Sequence, residues 1–360
     1  MNTNATLVHS DPAPSGHRKG YRIIQVHPTL NCNLKCSHCY SSSAPGLKTK
    51  LNIDDLHYFL SSAYDRGYNT IAVSGGEPFL YPELKELLRR SKETGYYTSL
   101  TTNGGLLPHK NNRDTLEFVD LVAVSIDGVK EEHNAIRGNL KAFDQALEAV
   151  EILKEFRKRF GFIHLLHNEP LDTLAWLCEF TLSHGAGLLQ LHPFESAGRG
   201  RDASHMQLSV EQTFRFFILY HYFRQKHEND FLLQLDVLHR QTLLDQPETV
   251  YFFKDRELPA EEYLRELIID EHGYILPGSH GFNREFALGN INERRPLAEL
   301  LTVYSKEKLE DLKQLYEDAY YEMLADEDVE LFNYAERIIQ HSWLVKVKSQ
   351  SQNSKVKIQK

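Results

Sequence analysis

Asn31-Cys32-Asn33-Leu34-Lys35-Cys36-Ser37-His38-Cys39-Tyr40-Ser41-Ser42 is the stretch around which the rest of the chain is organised. It holds three of the four cysteines in 360 residues, spaced C-x3-C-x2-C. Thiolates this close in sequence converge on one metal centre only where a loop wraps it, and the residues around them are mostly polar, as such a loop needs. Structural zinc sites and common iron–sulfur sites take a fourth protein ligand. The remaining cysteine, Cys178, lies far along the chain inside an apolar helical pattern. Three thiolates on a four-iron cluster leave one iron open for a small molecule to coordinate. Two plainer readings compete: zinc held with a distant histidine from the 18 in the chain, or free thiols in a reducing compartment.

Outward from the loop, short apolar runs alternate with helical patterns. Strands are predicted over 21–27, 70–74, 97–101, 121–125, 162–166 and 188–191, with helices over 82–94, 112–118, 141–159 and 171–184 between them. A further helix opens at Asn52, an N-cap followed by Asp54 and Asp55 in the first turn, and carries the apolar stripe Leu56, Phe59, Leu60 and Ala63. This alternation means βα units and a parallel sheet, an α/β fold whose chemistry sits at the C-terminal ends of its strands.

The motifs fall at those ends. Ser74-Gly75-Gly76-Glu77-Pro78 follows the second strand, where glycines permit close backbone approach and Glu77 can accept from an ammonium. Thr101-Thr102-Asn103-Gly104 ends the third. Ser125-Ile126-Asp127-Gly128 ends the fourth, with Ser125 and Asp127 on one face by alternation. Glu132-His133-Asn134-Ala135-Ile136-Arg137-Gly138 comes next, and Leu191-His192-Pro193-Phe194 ends the sixth strand.

Cysteine loop, Gly-Gly-Glu-Pro, Ser-x-Asp and Arg137, in this order, resemble the radical S-adenosylmethionine (radical SAM) enzymes over residues 21–194. The resemblance implies a partial (β/α)6 TIM-like barrel over residues 21–205. It implies one [4Fe-4S] cluster on Cys32, Cys36 and Cys39, with S-adenosylmethionine on the open iron and a flavodoxin- or ferredoxin-type electron donor. Reductive cleavage of the sulfonium would give a 5′-deoxyadenosyl radical that takes a hydrogen atom from a substrate carbon. Gly75, Gly76, Glu77 and Pro78 would hold the amino group, Thr102 and Asn103 border the pocket, and Ser125 and Asp127 contact the ribose. Arg137 would pair with the carboxylate, a task suited to guanidinium, and His192 would lie near the adenine or substrate. Asn168 is a weaker contact. Asn134 stands where the family more often has aspartate.

Other residues are read more plainly. Cys178 is expected in the core rather than as a hydrogen-atom donor. His164 and His167 show no metal spacing that a strand would support, and the aromatic run 214–223 reads as helix packing. Gly198-Arg199-Gly200-Arg201 is either a solvent loop or a site for an anionic substrate group.

Beyond the barrel, helices are expected over 209–223 and 232–244, bridging across 206–260. Over 261–303, a hairpin turning at Glu271-His272-Gly273, then Pro277-Gly278 and Leu288-Gly289-Asn290-Ile291, resembles the SPASM or twitch extension of the family. Gly278 stands where a cysteine is expected, so the α+β scaffold is retained and its auxiliary clusters lost. Without them, fragmentation, rearrangement or redox-neutral chemistry gains over two-electron oxidation. Helices are expected over 304–345, a flexible leader over 1–20 and a flexible tail over 346–360.

The net charge of −9 gives no basic field for nucleic acid, and no apolar run is long enough for a bilayer or a signal peptide. The chain reads as cytoplasmic. The resemblance points to maturation of a ribosomally made precursor peptide, with excision of a tyrosine-derived tyramine unit as the specific form and a separate leader-recognition protein as partner. The alternatives are peptide epimerisation or cross-linking, radical chemistry on a tetrapyrrole or sugar, and a non-catalytic zinc or cluster protein.

Overall fold

The computed structural model describes residues 22–247 and 257–345. The expected leader, the tail and residues 248–256 of the bridging segment lie outside the described residues.

The first half follows the expected alternation: β1 (Ile23–Val26), α1 (Ile53–Tyr64), β2 (Thr70–Val73), α2 (Leu84–Thr94), β3 (Tyr97–Thr102), a short α3 (Lys110–Arg113), β4 (Leu121–Ser125), α4 (Lys130–Arg137), α5 (Ala142–Glu155), β5 (Arg159–Leu166), α6 (Asp172–His184) and β6 (Leu188–Pro193). Then come α7 (Val210–Lys226), β7 (Leu232–Leu235), β8 (Leu238–His239), α8 (Arg240–Asp245), α9 (Ala260–Tyr263), β9 (Glu266–Ile269), β10 (Tyr274–Pro277), β11 (Gly289–Asn290), α10 (Leu297–Glu307), α11 (Leu309–Ala325), β12 (Leu331–Phe332) and α12 (Tyr334–Leu344). The Asn52 side chain caps α1 by accepting from the amides of Asp54 and Asp55, and the stripe Leu56, Phe59, Leu60 and Ala63 is buried. The helix expected over 112–118 is instead α3 and a 3-10 segment, Asp114–Phe118.

Ten strands form one open sheet in the order β11-β10-β9-β1-β2-β3-β4-β5-β6-β7. From β9 through β1 to β7 every pairing is parallel. This is the expected partial barrel, lengthened at both edges. At one edge Leu232 to Leu235, expected as helix, is a strand paired with β6. Its Leu-Leu-Gln-Leu is too short for periodicity to separate strand from helix. At the other edge β9 pairs in parallel with β1, and β9–β10 forms the expected hairpin. The hairpin is therefore part of the barrel sheet. The C-terminal helical stretch is interrupted by β12, which pairs with β8.

Alternate residues of the parallel strands face the inside. Many are small or polar: Gln25, Ala72, Ser99, Ala123, Gln190 and Gln234. A barrel lined this way cannot pack its centre as a filled one does. A cavity of about 1350 Å³ runs through it, and Tyr316, Tyr334, Ile338 and Ile339 from α11 and α12 form part of its wall.

Candidate active site

The cysteine loop leaves β1 and folds back on itself through isolated bridges between Thr29 and Lys50 and between Asn31 and Ala44. Cys32 and Cys36 are buried and Cys39 half-buried; all are free thiols facing the cavity. Two other segments press on this loop backbone to backbone. A Cβ on Gly76 would collide with the Asn31 carbonyl oxygen. The Gly76 amide donates to Thr29 O at 2.9 Å and that of Glu77 to Asn31 O at 2.8 Å. The glycines of this motif are therefore required by the cysteine loop itself. From the far side, Gly198 at φ +54° would place a Cβ 2.5 Å from Cys39 O. The Arg199 amide donates to Cys39 O at 3.0 Å and its Nε to Cys36 O at 2.9 Å. The 198–201 segment thus braces the loop, a role that neither of its sequence readings contained.

Burial pushes the Cys32 thiol up to about 12 and raises that of Cys36, against which the Arg137 and Arg199 cations pull. A bound metal would hold them as thiolates.

Glu77 is 1% exposed, and burial lifts its carboxyl to about 7. It accepts from Thr102 Oγ1 at 2.7 Å, Asn103 N at 3.0 Å and Phe79 N at 3.4 Å. An ionised carboxylate has about four acceptor positions, which leaves room for one more donor from the cavity. Asn103 Nδ2 also lies 3.9 Å from Cys32 Sγ, so Glu77, Thr102, Asn103 and the cysteine loop form one connected unit.

Asp127 is buried at the end of β4, and its Oδ2 accepts from Arg137 Nε at 2.6 Å and faces His38 Nε2 at 3.0 Å. Burial alone would raise its carboxyl, but Arg137 and His38 outweigh it and hold the group well below the usual range. Its amide donates to His133 Nδ1 at 3.0 Å, while its buried Oδ1 has no partner. Arg137 reaches this position from the last turn of α4, which the sequence reading did not assign as a helix. Asp127 is thus first the counter-ion of Arg137, with one oxygen to spare, and Ser125 faces the cavity beside it.

On the other side of the cavity, His192 Nδ1 meets Asp236 Oδ2 at 2.5 Å. Against burial, Asp236 raises the His192 pKa and His192 lowers that of Asp236. Glu195 and Glu266 also face the cavity, both with carboxyls raised by burial, Glu266 to about 7. Where the hairpin meets the cysteine loop, His27, Glu271 and His280 bring one donor atom each within 4.8 Å of one another, with Tyr40 packed edge-on to His280.

Most sequence candidates therefore converge: Cys32, Cys36, Cys39, Gly75, Gly76, Glu77, Thr102, Asn103, Ser125, Asp127, Arg137 and His192 all line the cavity, and Pro78 opens a 3-10 turn capped by Glu77. Asn168 does not join them; its amide donates to Met206 O and its Oδ1 accepts from Gln212. Cys178 is fully buried in α6. Sequence reasoning missed Asp236, hidden by the helix assignment, and the pairing of His38 with Asp127, for which nothing local gives a signal.

The donor set fits the implied cofactors: three free thiols at one end of the cavity, cations beside Cys36, and unfilled acceptor positions on Glu77 and Asp127.

Residues 26–181 match the family model described as the radical SAM superfamily. Fe-coproporphyrin III synthase of Methanosarcina barkeri is 25% identical over 306 residues, covering 81% of this chain and 76% of that protein. Antilisterial bacteriocin subtilosin biosynthesis protein AlbA of Bacillus subtilis is 25% identical over 281 residues, covering 73% of this chain but only 56% of its own length. Among solved structures, anSMEcpe with bound AdoMet and Cp18Cys peptide superposes with a TM-score of 0.61 at 17% identity, covering 93% of this chain and 99% of that one. At that identity the likeness speaks to the fold.

Proposed function

Residues 26–181 form a radical SAM domain, and from that premise we propose that the chain is a maturase acting on a ribosomally made peptide held in the barrel cavity. The family's [4Fe-4S] cluster and S-adenosylmethionine supply, when bound, reductive cleavage of the sulfonium to a 5′-deoxyadenosyl radical. Cys32, Cys36 and Cys39 hold the cluster in this reading. Glu77 takes the ammonium of the methionine part on its remaining acceptor position. Arg137, whose Nε is spent on Asp127, keeps its terminal nitrogens for the carboxylate. Asp127 Oδ1 and Ser125 serve the ribose. His192, oriented by Asp236, faces the substrate.

The observation that carries the choice of substrate is the charge of the cavity at its cysteine end. Glu195 and Asp236 face it there, and Glu266 lies deeper in the lumen. Of the arginines at that end, Arg137 is bound to Asp127 and Arg199 to a loop carbonyl. Arg157, Lys158, Arg159 and Arg265 lie at the opposite, N-terminal ends of the strands. A tetrapyrrole bearing several carboxylates would meet there the Glu195 carboxyl and a His192 already committed to Asp236, and burying carboxylates without a cation to pair them is costly. A peptide with neutral or basic side chains meets no such cost. The relation to AlbA agrees with this reading.

The hairpin region over 261–303 carries no cysteine, so that region offers no auxiliary cluster on cysteines to take up an electron. Redox-neutral fragmentation is then the preferred outcome, and excision of a tyramine unit is its specific form. The tetrapyrrole reading stands second, favoured by the relation to Fe-coproporphyrin III synthase.

The test is mass spectrometry of an anaerobic reaction containing iron-reconstituted protein, S-adenosylmethionine, a reductant and either a tyrosine-containing precursor peptide or an iron coproporphyrin. Loss of an internal fragment from the peptide establishes excision. Loss of two hydrogens indicates a cross-link, and deuterium uptake at constant mass indicates epimerisation. A modified porphyrin beside an untouched peptide replaces the first reading with the second.

A further inference from the structure

Outside the cavity, three donor side chains from separate parts of the chain meet beneath the turn that follows β4. Glu132 comes from the first turn of α4. His167 and Glu169 come from the loop between β5 and α6. One donor atom from each lies within 4.8 Å of the others. His167 Nε2 is 3.7 Å from Glu169 Oε2 and 3.9 Å from Glu132 Oε1. These separations are too long for hydrogen bonds. Both His167 and Glu169 are 5% exposed, and the two atoms that face each other, His167 Nε2 and Glu169 Oε2, have no hydrogen-bond partner. Two buried polar atoms left unpaired at the same spot call for a common partner, an ordered water or an ion.

A divalent cation supplies one. Ions such as zinc bind imidazole nitrogen and carboxylate oxygen at about 2.0–2.2 Å, which places neighbouring ligands about 3.4–3.6 Å apart for tetrahedral to trigonal angles. The two distances from His167 need a closure of only a few tenths of an ångström, and the separation between the two carboxylates is within 4.8 Å. The surroundings are arranged as outer partners of metal ligands usually are. His164 lies with Nε2 2.9 Å from Glu169 Oε1 and Nδ1 2.9 Å from the Ile126 carbonyl. The carbonyl can only accept, so Nδ1 carries a proton, and a donating Nε2 fixes the Glu169 carboxylate with Oε2 turned to the gap. On the other side, a Cβ at Gly128 would collide with Glu132 Oε2. The missing side chain at Gly128 lets the Glu132 carboxylate fold over the turn. Glu132 is half-buried, which leaves an entry path for the ion.

We infer that Glu132, His167 and Glu169 form a mononuclear site for a divalent first-row transition cation, separate from the cysteine loop, that ties the β4–α4 turn to the β5–α6 loop. The sequence hid it because His167 and Glu169 are two residues apart on an irregular loop and Glu132 lies 35 positions earlier. The ion would sit one layer behind Asp127 and Arg137, since Glu132, His133 and Arg137 share α4.

The test uses the full chain with its cysteines already occupied by reconstituted cluster, titrated with Zn2+ against a colorimetric chelator and then with Co2+. The expected result is one equivalent bound at this site, with the weak cobalt absorption of nitrogen and oxygen ligands and a higher melting temperature with metal than without. His167→Ala should weaken binding by about 100-fold or more and abolish the metal-dependent rise in melting temperature. Should His167→Ala not fold, Glu132→Gln, at a half-exposed position, gives the same readout. His280→Ala distinguishes the group beside the hairpin. Zinc binding that disappears in His280→Ala but persists in His167→Ala or Glu132→Gln overturns the assignment, as does a wild-type chain that binds no zinc beyond its cluster.

Discussion

The two sides of the cavity are built by different means. On the β1–β4 side, which carries the proposed cofactor residues, segments meet backbone to backbone: Gly76 against Asn31, Gly198 against the carbonyls of Cys39 and Tyr40. Side chains there are locked to one another, as in Glu77 with Thr102 and Asn103, or Asp127 with Arg137 and His38. On the side of β6, β7 and β9 the wall is made of single side chains, His192 on Asp236 and Glu266 held by Gln25 of neighbouring β1, closed by helices from the end of the chain. A common cofactor needs fixed geometry, and backbone contacts provide it. A particular substrate needs only a lining that can change residue by residue.

If this contrast holds, substitutions on the first side should cost stability and cofactor together, while those on the second should alter turnover alone. The largest effect is expected from Arg137→Met, which strands the buried Asp127 carboxylate. Removing one partner of such a pair costs about 3–5 kcal/mol, to be read as a loss of stability in denaturant titration. Gly76→Ala should follow at about 1–3 kcal/mol, with lowered iron content after reconstitution, because either Asn31 or the added methyl must move. Retention of full iron loading in that variant would break the comparison.

Assayed above the raised His192 pKa, where the charged pair no longer adds stability, Asp236→Asn should leave iron content and melting temperature near wild type and slow substrate turnover about tenfold, equivalent to about 1.4 kcal/mol of barrier. Its pH signature has a definite sign. Asp236 raises the His192 pKa from 6.5, so the stabilisation of the charged pair is present below 6.5 and is lost as pH rises through the raised value. Once the carboxylate is replaced by an amide, the ring loses its largest raising partner and should titrate lower than in the wild type, which a chemical-shift titration of the imidazole would follow. Smallest of all, Cys178→Ala should cost about 1 kcal/mol and leave substrate turnover unchanged. A loss of turnover in Cys178→Ala would return that thiol to the chemistry.

The legibility of the sequence divides along the same line. Cysteines, glycines and strand-end motifs lie within a few residues of one another, so β1 to β6 and most cofactor-side candidates can be read from local pattern. Asp236 could not be read, because four residues of Leu-Leu-Gln-Leu carry no period that tells strand from helix. The parallel pairing of β9 with β1 joins positions more than 240 residues apart, as with Ile23 and Glu266, and leaves no local trace. Gly198 and Arg199 failed for a related reason. Their partner is the carbonyl row of the cysteine loop, and a glycine pressed on a distant backbone looks in sequence like any flexible loop. The charge of the cavity wall is likewise a property of assembly. Glu195, Asp236 and Glu266 come from three strands or strand ends and are unremarkable singly.

The most direct test of the account is the iron and acid-labile sulfide content of the anaerobically reconstituted chain, measured with its electron paramagnetic resonance spectrum before and after S-adenosylmethionine. The account predicts iron and sulfide for one [4Fe-4S] cluster, a spectrum altered by S-adenosylmethionine, formation of 5′-deoxyadenosine, and loss of all three when Cys32, Cys36 and Cys39 are replaced by alanine. Iron retained in that triple variant, or a spectrum indifferent to S-adenosylmethionine in the wild type, would contradict it.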